Sequence, residues 1–166
     1  MTGMAWLAAA LDALPGRDEA AATAVAARAA DILRPAGALR RLDQVAVHMA
    51  AWQRTVTPAV TRPAGLVFAA DHGVAVHRGV SAYPTEVTAA MVAAFAAGRG
   101  TVNVLAQAAG ASVTVVDVGV GRPTGDIVTE AALDHLRGGE VVDAAVAAVA
   151  ALDTDLLVIG EMGIGN

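Results

Sequence analysis

Residues 65–73 read GLVFAADHG. Leu66 to Ala70 is a short continuous apolar run, and it stops abruptly at Asp71-His72-Gly73. A strand buried on both faces looks like this, because neither face needs polar side chains. The same pattern returns twice further along. SVTVVDVGVG (112–121) and DLLVIGEMGIGN (155–166) are apolar runs that also end in an acid and glycines. The stretches between are helical in character. YPTEVTAAMVAAFAAG has Pro84 near its first turn, where a missing N–H is harmless, with Glu86 near the positive end of the dipole and Gly98 as its stop. TVNVLAQAAG offers Thr101 as an N-cap and Gly110 past its C-terminus. GEVVDAAVAAVAAL is a further helix. Strands alternating with helical connections predict an α/β fold, a Rossmann-like parallel sheet with helices on both faces.

Working back toward the N-terminus, TVTPAVTRPAG carries two prolines and marks a boundary. Before it, WLAAALDAL and RDEAAATAVAARAADIL are strong helix formers split by Pro15-Gly16. In RPAGALRRLDQVAVHMAAWQR, Leu39, Leu42, Val45, Ala46, Met49 and Trp52 recur at three- and four-residue steps and predict one apolar face. The expected organisation is a helical segment over residues 1–60, part of a small domain, followed by the α/β part over 61–166.

The chain has 166 residues and a net charge of −5, with 56% apolar and only 3% aromatic residues. Alanine supplies much of the apolar share, so the expected core is modest and leaves Ala-rich surface for a partner. The acidic balance argues against sequence-independent nucleic-acid binding, which needs a basic stripe. There is no cysteine, which excludes disulfides and thiolate metal ligands. The N-terminus lacks the basic flank of a signal peptide. The apolar run Val141–Leu152 is far short of the ~20 residues a membrane span requires. A soluble, cytoplasmic protein is the expectation.

In parallel sheets, ligands bind beyond the C-terminal strand ends. Asp71 and His72 are a possible acid–imidazole couple, or an Asp capping a turn beside a His that satisfies it. Asp117 suits a ribose hydroxyl, or a loop cap. The four scattered histidines lack ligand spacing, so no metal site is expected. The turn after Gly160 suits an anion, since Gly163 and Gly165 let backbone N–H groups turn inward. It is neither a Walker loop nor the dinucleotide fingerprint.

Three long motifs in order, FAADHGVAVHRGVSAYPTEVT, VNVLAQAAGASVTVVDVGV and GEMGIGN, closely resemble the nicotinate-nucleotide–dimethylbenzimidazole phosphoribosyltransferase family of cobalamin biosynthesis. RPAGALRRLD is similar to that family's KPxGSLGxLE pattern, with Arg34 for lysine, Ala38 for serine and Arg40 for glycine. The matches cover most of the chain from Leu33 onward. The resemblance implies transfer of ribose 5-phosphate from nicotinate mononucleotide to 5,6-dimethylbenzimidazole, with inversion, by a homodimer that needs no cofactor or metal. It implies an aromatic-base pocket with Tyr83 and Met91 on one helical wall, eight residues apart, and Met162 opposite. Glu161 and Gly163 would line the meeting point of base and nucleotide, and Gly165 and Asn166 would begin the phosphate cradle. The family's main catalytic glutamate lies beyond a position equivalent to Asn166, so the resemblance also implies an N-terminal piece with little activity of its own. GRPTGDIVTEAALDHLRGG is shorter than the family's usual stretch, which puts part of its nucleotide contact set in question.

Two other readings compete with the enzyme: a pairing module completed by a separately encoded half, and a generic nucleotide-binding α/β domain. The coding sequence downstream discriminates among the three.

Overall fold

The computed structural model describes residues 4–166; Met1–Gly3 of the N-terminal stretch lie outside the described residues. The chain divides into two compact units, Ala13–Thr61 and Arg62–Asn166, and the first helix, α1 (Met4–Asp12), clusters with the second of these. Composition alone grouped α1 with the other N-terminal helices; in the structure it packs against α7, the last helix of the chain.

The helical unit is a pair, α2 (Glu19–Asp31) and α3 (Arg41–Gln53). Asp18 caps α2 by accepting a hydrogen bond from Ala21 N at 3.0 Å. Arg34 ties the C-terminal end of α2 to the first turn of α3: its Nη2 donates to Ala29 O at 2.9 Å and to Asp43 Oδ1 at 2.8 Å. The buried seam is made of alanines, Ala21 and Ala22 on α2 with Ala50 and Ala51 on α3. Of the larger stripe the sequence marks for burial, Leu39, Leu42, Val45 and Trp52 are instead exposed, Leu42 at 63% and Trp52 at 53%, while Ala46 and Met49 are half-buried. Small side chains let the two helix backbones approach closely, and the seam follows them rather than the leucines.

Arg40, the residue before α3, has φ 40° and ψ −106°. This is a conformation that costs an L-residue on the order of 1–3 kcal/mol, and it falls where the resembled pattern has glycine. Arg40→Gly is therefore expected to stabilise the helical unit by about 1 kcal/mol after the entropy cost of glycine. Arg40→Ala keeps a Cβ and should gain nothing. Urea titration of the two variants checks this, and equal midpoints would contradict it.

The second unit holds the sheet. Its strands are β1 (Pro63–Ala70), β2 (Ser112–Gly119) and β3 (Leu156–Met162), all parallel, in the order β2-β1-β3. Between β1 and β2 run α4 (Gly73–Arg78), α5 (Val87–Ala96) and α6 (Thr101–Ala108); α7 (His135–Ala150) leads from β2 to β3. With crossovers of the usual right hand, the reversal of direction at β1 carries α4–α6 and α7 to opposite faces. β1 is central and buried, with Leu66 and Ala69 at 0% exposure, as its apolar run predicts.

Several details differ from expectation. β3 is not buried: Val158 and Ile159, which point to opposite faces, are 62% and 65% exposed. It pairs with β1 along one side only, and among the described residues nothing pairs with its other edge. Thr101 is not the cap of α6. That place belongs to Gly100, whose N–H is accepted by Asn103 Oδ1 at 3.1 Å. The Val87–Ala108 stretch is long and apolar enough by composition to span a membrane, but the turn with Gly98 at φ 72° divides it into α5 and α6.

Candidate functional site

The strand order sets where a site belongs. From β1 the chain first steps to β2 on one side, then returns to β3 on the other. The crevice at such a switch point opens between the C-terminal ends of the two strands where direction reverses, here β1 and β3. Residues 71–73 and 163–166 meet there.

The 163–166 turn is wedged against the β1–α4 connection. A Cβ on Gly163 would lie 2.3 Å from Ala70 O and 2.6 Å from His72 Nε2. Gly165 has φ 95°, and a Cβ there would meet the Cβ of Ala75 at 2.6 Å. On the far side, Ile164 N donates to Thr88 Oγ1 at 3.1 Å, and Thr88 is fully buried on α5. Asn166 N closes the turn on Gly163 O at 3.2 Å, and Asn166 Nδ2 donates to Glu161 Oε1. Glycine is thus required at both positions by packing and, at Gly165, by φ as well, whatever ligand the turn receives.

Asp71 and His72 do not form a couple, since successive side chains of an extended chain point apart. The Asp71 carboxylate is buried and turns toward β2's exit loop, where Oδ2 accepts from Gly121 N at 2.7 Å. Thr124 closes the same junction: its N–H reaches Asp71 O at 3.1 Å, and its hydroxyl accepts from Gly73 N at 3.1 Å. Asp117 serves the loop as a cap, Oδ1 accepting from Gly119 N at 2.9 Å and Val120 N at 2.8 Å. It stabilises a bulge, for Ala69 faces Asp117 while Ala70 faces Gly119, leaving Val118 as the extra residue.

The wall residues are placed differently. Tyr83 is not on α5. It lies in the bend before it, 66% exposed, and Pro84–Val87 form a tight turn leading into the helix. The eight-residue spacing to Met91 therefore carries no shared helical face. Met91 is on α5, three residues after Thr88 and so on the side of the helix that the turn reaches. Met162 ends β3 in register with Ala69.

Sequence reading missed Thr88, Thr124 and the ion pair of Arg78 with Asp126, Nε to Oδ2 at 2.7 Å. A lone threonine in the alanine-rich α5 was the available signal for the first. Asp126 is 5% exposed and anchors the exit loop to α4. Burial works to raise its pKa, but hydrogen bonds from Val128 N and Arg78 and the charges of Arg78 and His77 outweigh it, so the carboxyl titrates below its ordinary value. Arg137 of α7 holds the same loop through Pro123 O at 2.9 Å and Arg122 O.

A cavity of about 390 Å³ is lined by Asp71, Glu86, Ala89 and Gly121 among others. A cavity of about 670 Å³ belongs to the helical unit and includes none of the expected site residues. Among the described residues no group of three or more His, Asp or Glu side chains is placed to hold a metal ion.

Comparison with known proteins identifies the family. A family model described as phosphoribosyltransferase matches residues 14–166. Nicotinate-nucleotide–dimethylbenzimidazole phosphoribosyltransferase of Novosphingobium aromaticivorans is 48% identical over 158 residues, 95% of this chain and 46% of that protein. The protein of the same name from Cereibacter sphaeroides is 45% identical over 99% of this chain and 48% of its own length. A solved structure of such an enzyme from Thermus thermophilus is 36% identical, with a TM-score of 0.80 over 90% of this chain and 50% of that one. The chain spans about half the length of the curated relatives it matches.

Proposed function

The chain belongs to the nicotinate-nucleotide–dimethylbenzimidazole phosphoribosyltransferase family, and from that premise we propose what its site does. The complete protein transfers ribose 5-phosphate from nicotinate mononucleotide to 5,6-dimethylbenzimidazole, releasing nicotinate and α-ribazole 5′-phosphate. The bond from C1′ to the pyridinium nitrogen breaks, its electron pair leaving with nicotinate, and a bond from C1′ to a benzimidazole nitrogen forms. The proton on that base is lost. Because the leaving group already carries positive charge, the protein's work is to align the incoming nitrogen and accept its proton. It acts on small molecules in the cytoplasm as a homodimer, without nucleic acid, membrane or cofactor.

The observation that carries this reading is the family match across residues 14–166. In this proposal Gly163, Gly165 and Asn166 hold the nucleotide, Glu161 stands at the reacting centre, and Met91, Met162 and Tyr83 bound the aromatic acceptor. The test is incubation of the complete protein with nicotinate mononucleotide and a series of aromatic bases, following nicotinate by chromatography. No base-dependent release would refute it.

The acceptor wall gives a sharper expectation. Met packs adaptably on aromatic faces, and trimming Met91 to Ala removes area worth ~1–3 kcal/mol at about 25 cal/mol per Å². Met91→Ala should raise KM for the base by roughly tenfold or more and leave that for nicotinate mononucleotide nearly fixed. Preference among benzimidazole, purine and phenol acceptors should shift as well. Equal changes in both constants, with a lower melting temperature, would make Met91 plain core.

A further inference from the structure

The turn after β3 owes its shape to a side chain that no substrate role explains. The His72 ring sits over Gly163, with Nε2 2.6 Å and Cδ2 2.8 Å from the point a Cβ on Gly163 would occupy. Among the described residues Nε2 has no hydrogen-bond partner, so within the chain the ring is held by packing, as a wedge against Gly163. Its base is rigid. Asp71, the residue before it, is clamped to β2's exit loop through Gly121 N, Gly119 O and Thr124 N, and Gly73, the residue after it, is clamped through Thr124 Oγ1. The turn is held on its other sides by Thr88 Oγ1 and by Ala75. Of the side chains that hold the turn, His72 is the one that lies against Gly163 itself, and a substitution can remove its ring without touching backbone.

We propose that His72 is a positioning residue for the nucleotide end of the site, its ring fixing the 163–166 turn while touching no substrate. The proposal rests on the reading of that turn as a nucleotide cradle. Removal of the wedge leaves the strands and α5 in place and lets the turn relax toward β1. The consequence falls on nucleotide binding and not on the acceptor wall, which Met91 and Met162 supply from other elements.

The test uses the complete protein with His72→Ala and His72→Gln, whose amide reaches the place of Nε2. His72→Ala should raise KM for nicotinate mononucleotide about tenfold, with KM for the base within about twofold, since misplacement is felt only by the group the turn holds. His72→Gln should return most of the loss. Hydrogen exchange should quicken at Ile164–Asn166 in His72→Ala and stay unchanged in β2. An unchanged constant for nicotinate mononucleotide, or equal rises in both constants with faster exchange throughout, would overturn the proposal. If the wild-type protein released no nicotinate, the functional reading would fail by itself. The exchange arm would still decide the wedge: quickening confined to the turn supports it, and no quickening overturns it.

Discussion

Gly163→Ala is expected to cost roughly 3 kcal/mol or more of stability and to remove turnover, the scale of overpacking against atoms that cannot move aside. The obstacle is backbone. The new methyl would sit 2.3 Å from Ala70 O, at the end of a strand hydrogen-bonded on both sides. The His72 ring blocks the other direction, and Asp71 and Gly73 keep that residue from swinging away. Gly16→Ala is the matched control, because a Cβ there meets nothing within 4 Å. Melting curves of the two variants, with circular dichroism to confirm that the sheet survives, decide the matter. A Gly163→Ala protein as stable as the control would mean that the turn does not lie against β1 as described.

That expectation also shows how the sequence is informative and where it stops. GLVFAA at 65–70 announces a buried parallel strand because burial on both faces leaves no alternation, and β1 is that strand. Gly98 and Gly110 announce helix ends because both sit at positive φ, 72° and 68°. Gly163 was legible only as a glycine. A backbone approaching a ligand and a backbone with no room for a methyl leave the same letter, and only the position of Ala70 O separates them. Asp71 and Asp117 read as possible ligands for the same reason: a carboxylate at a strand end is equally a cap, and here both accept N–H groups of β2's exit loop. Arg78 and Asp126 are 48 residues apart, and no periodicity links them. β3 reads as buried because its letters are as apolar as those of β1; its exposure depends on neighbours, and none among the described residues covers Val158 or Ile159.

The candidate site residues come from the family resemblance, and the structure shows where each lies. Met91 is on α5, three residues after Thr88, which bonds the turn. Tyr83 lost the helical argument, because Pro84–Val87 turn before α5 begins.

Glu161→Gln in the complete protein is expected to lower kcat by about 10²-fold, the lower range for acid–base assistance by a side chain that helps the main base or orients the ribose, and to leave KM for nicotinate mononucleotide within about twofold. Glu161 is exposed at the end of β3, in register with Phe68, and its Oε1 accepts from Asn166 Nδ2 across the turn. Glutamine keeps an oxygen for that hydrogen bond and removes only the charge. Asn166→Ala does the reverse, freeing the carboxylate while opening the turn. A carboxylate that takes a proton or steadies positive charge on the ribose should therefore show its loss in kcat with glutamine. A carboxylate that merely shapes the loop should tolerate glutamine, and alanine at 166 should raise KM. The two variants measured side by side separate the roles, since each disturbs one of the two properties of a single oxygen. If Glu161→Gln turned over like the wild type while Asn166→Ala bound nucleotide poorly, Glu161 would be a structural acceptor. Proton removal would then rest wholly on the main glutamate that the family resemblance places beyond Asn166.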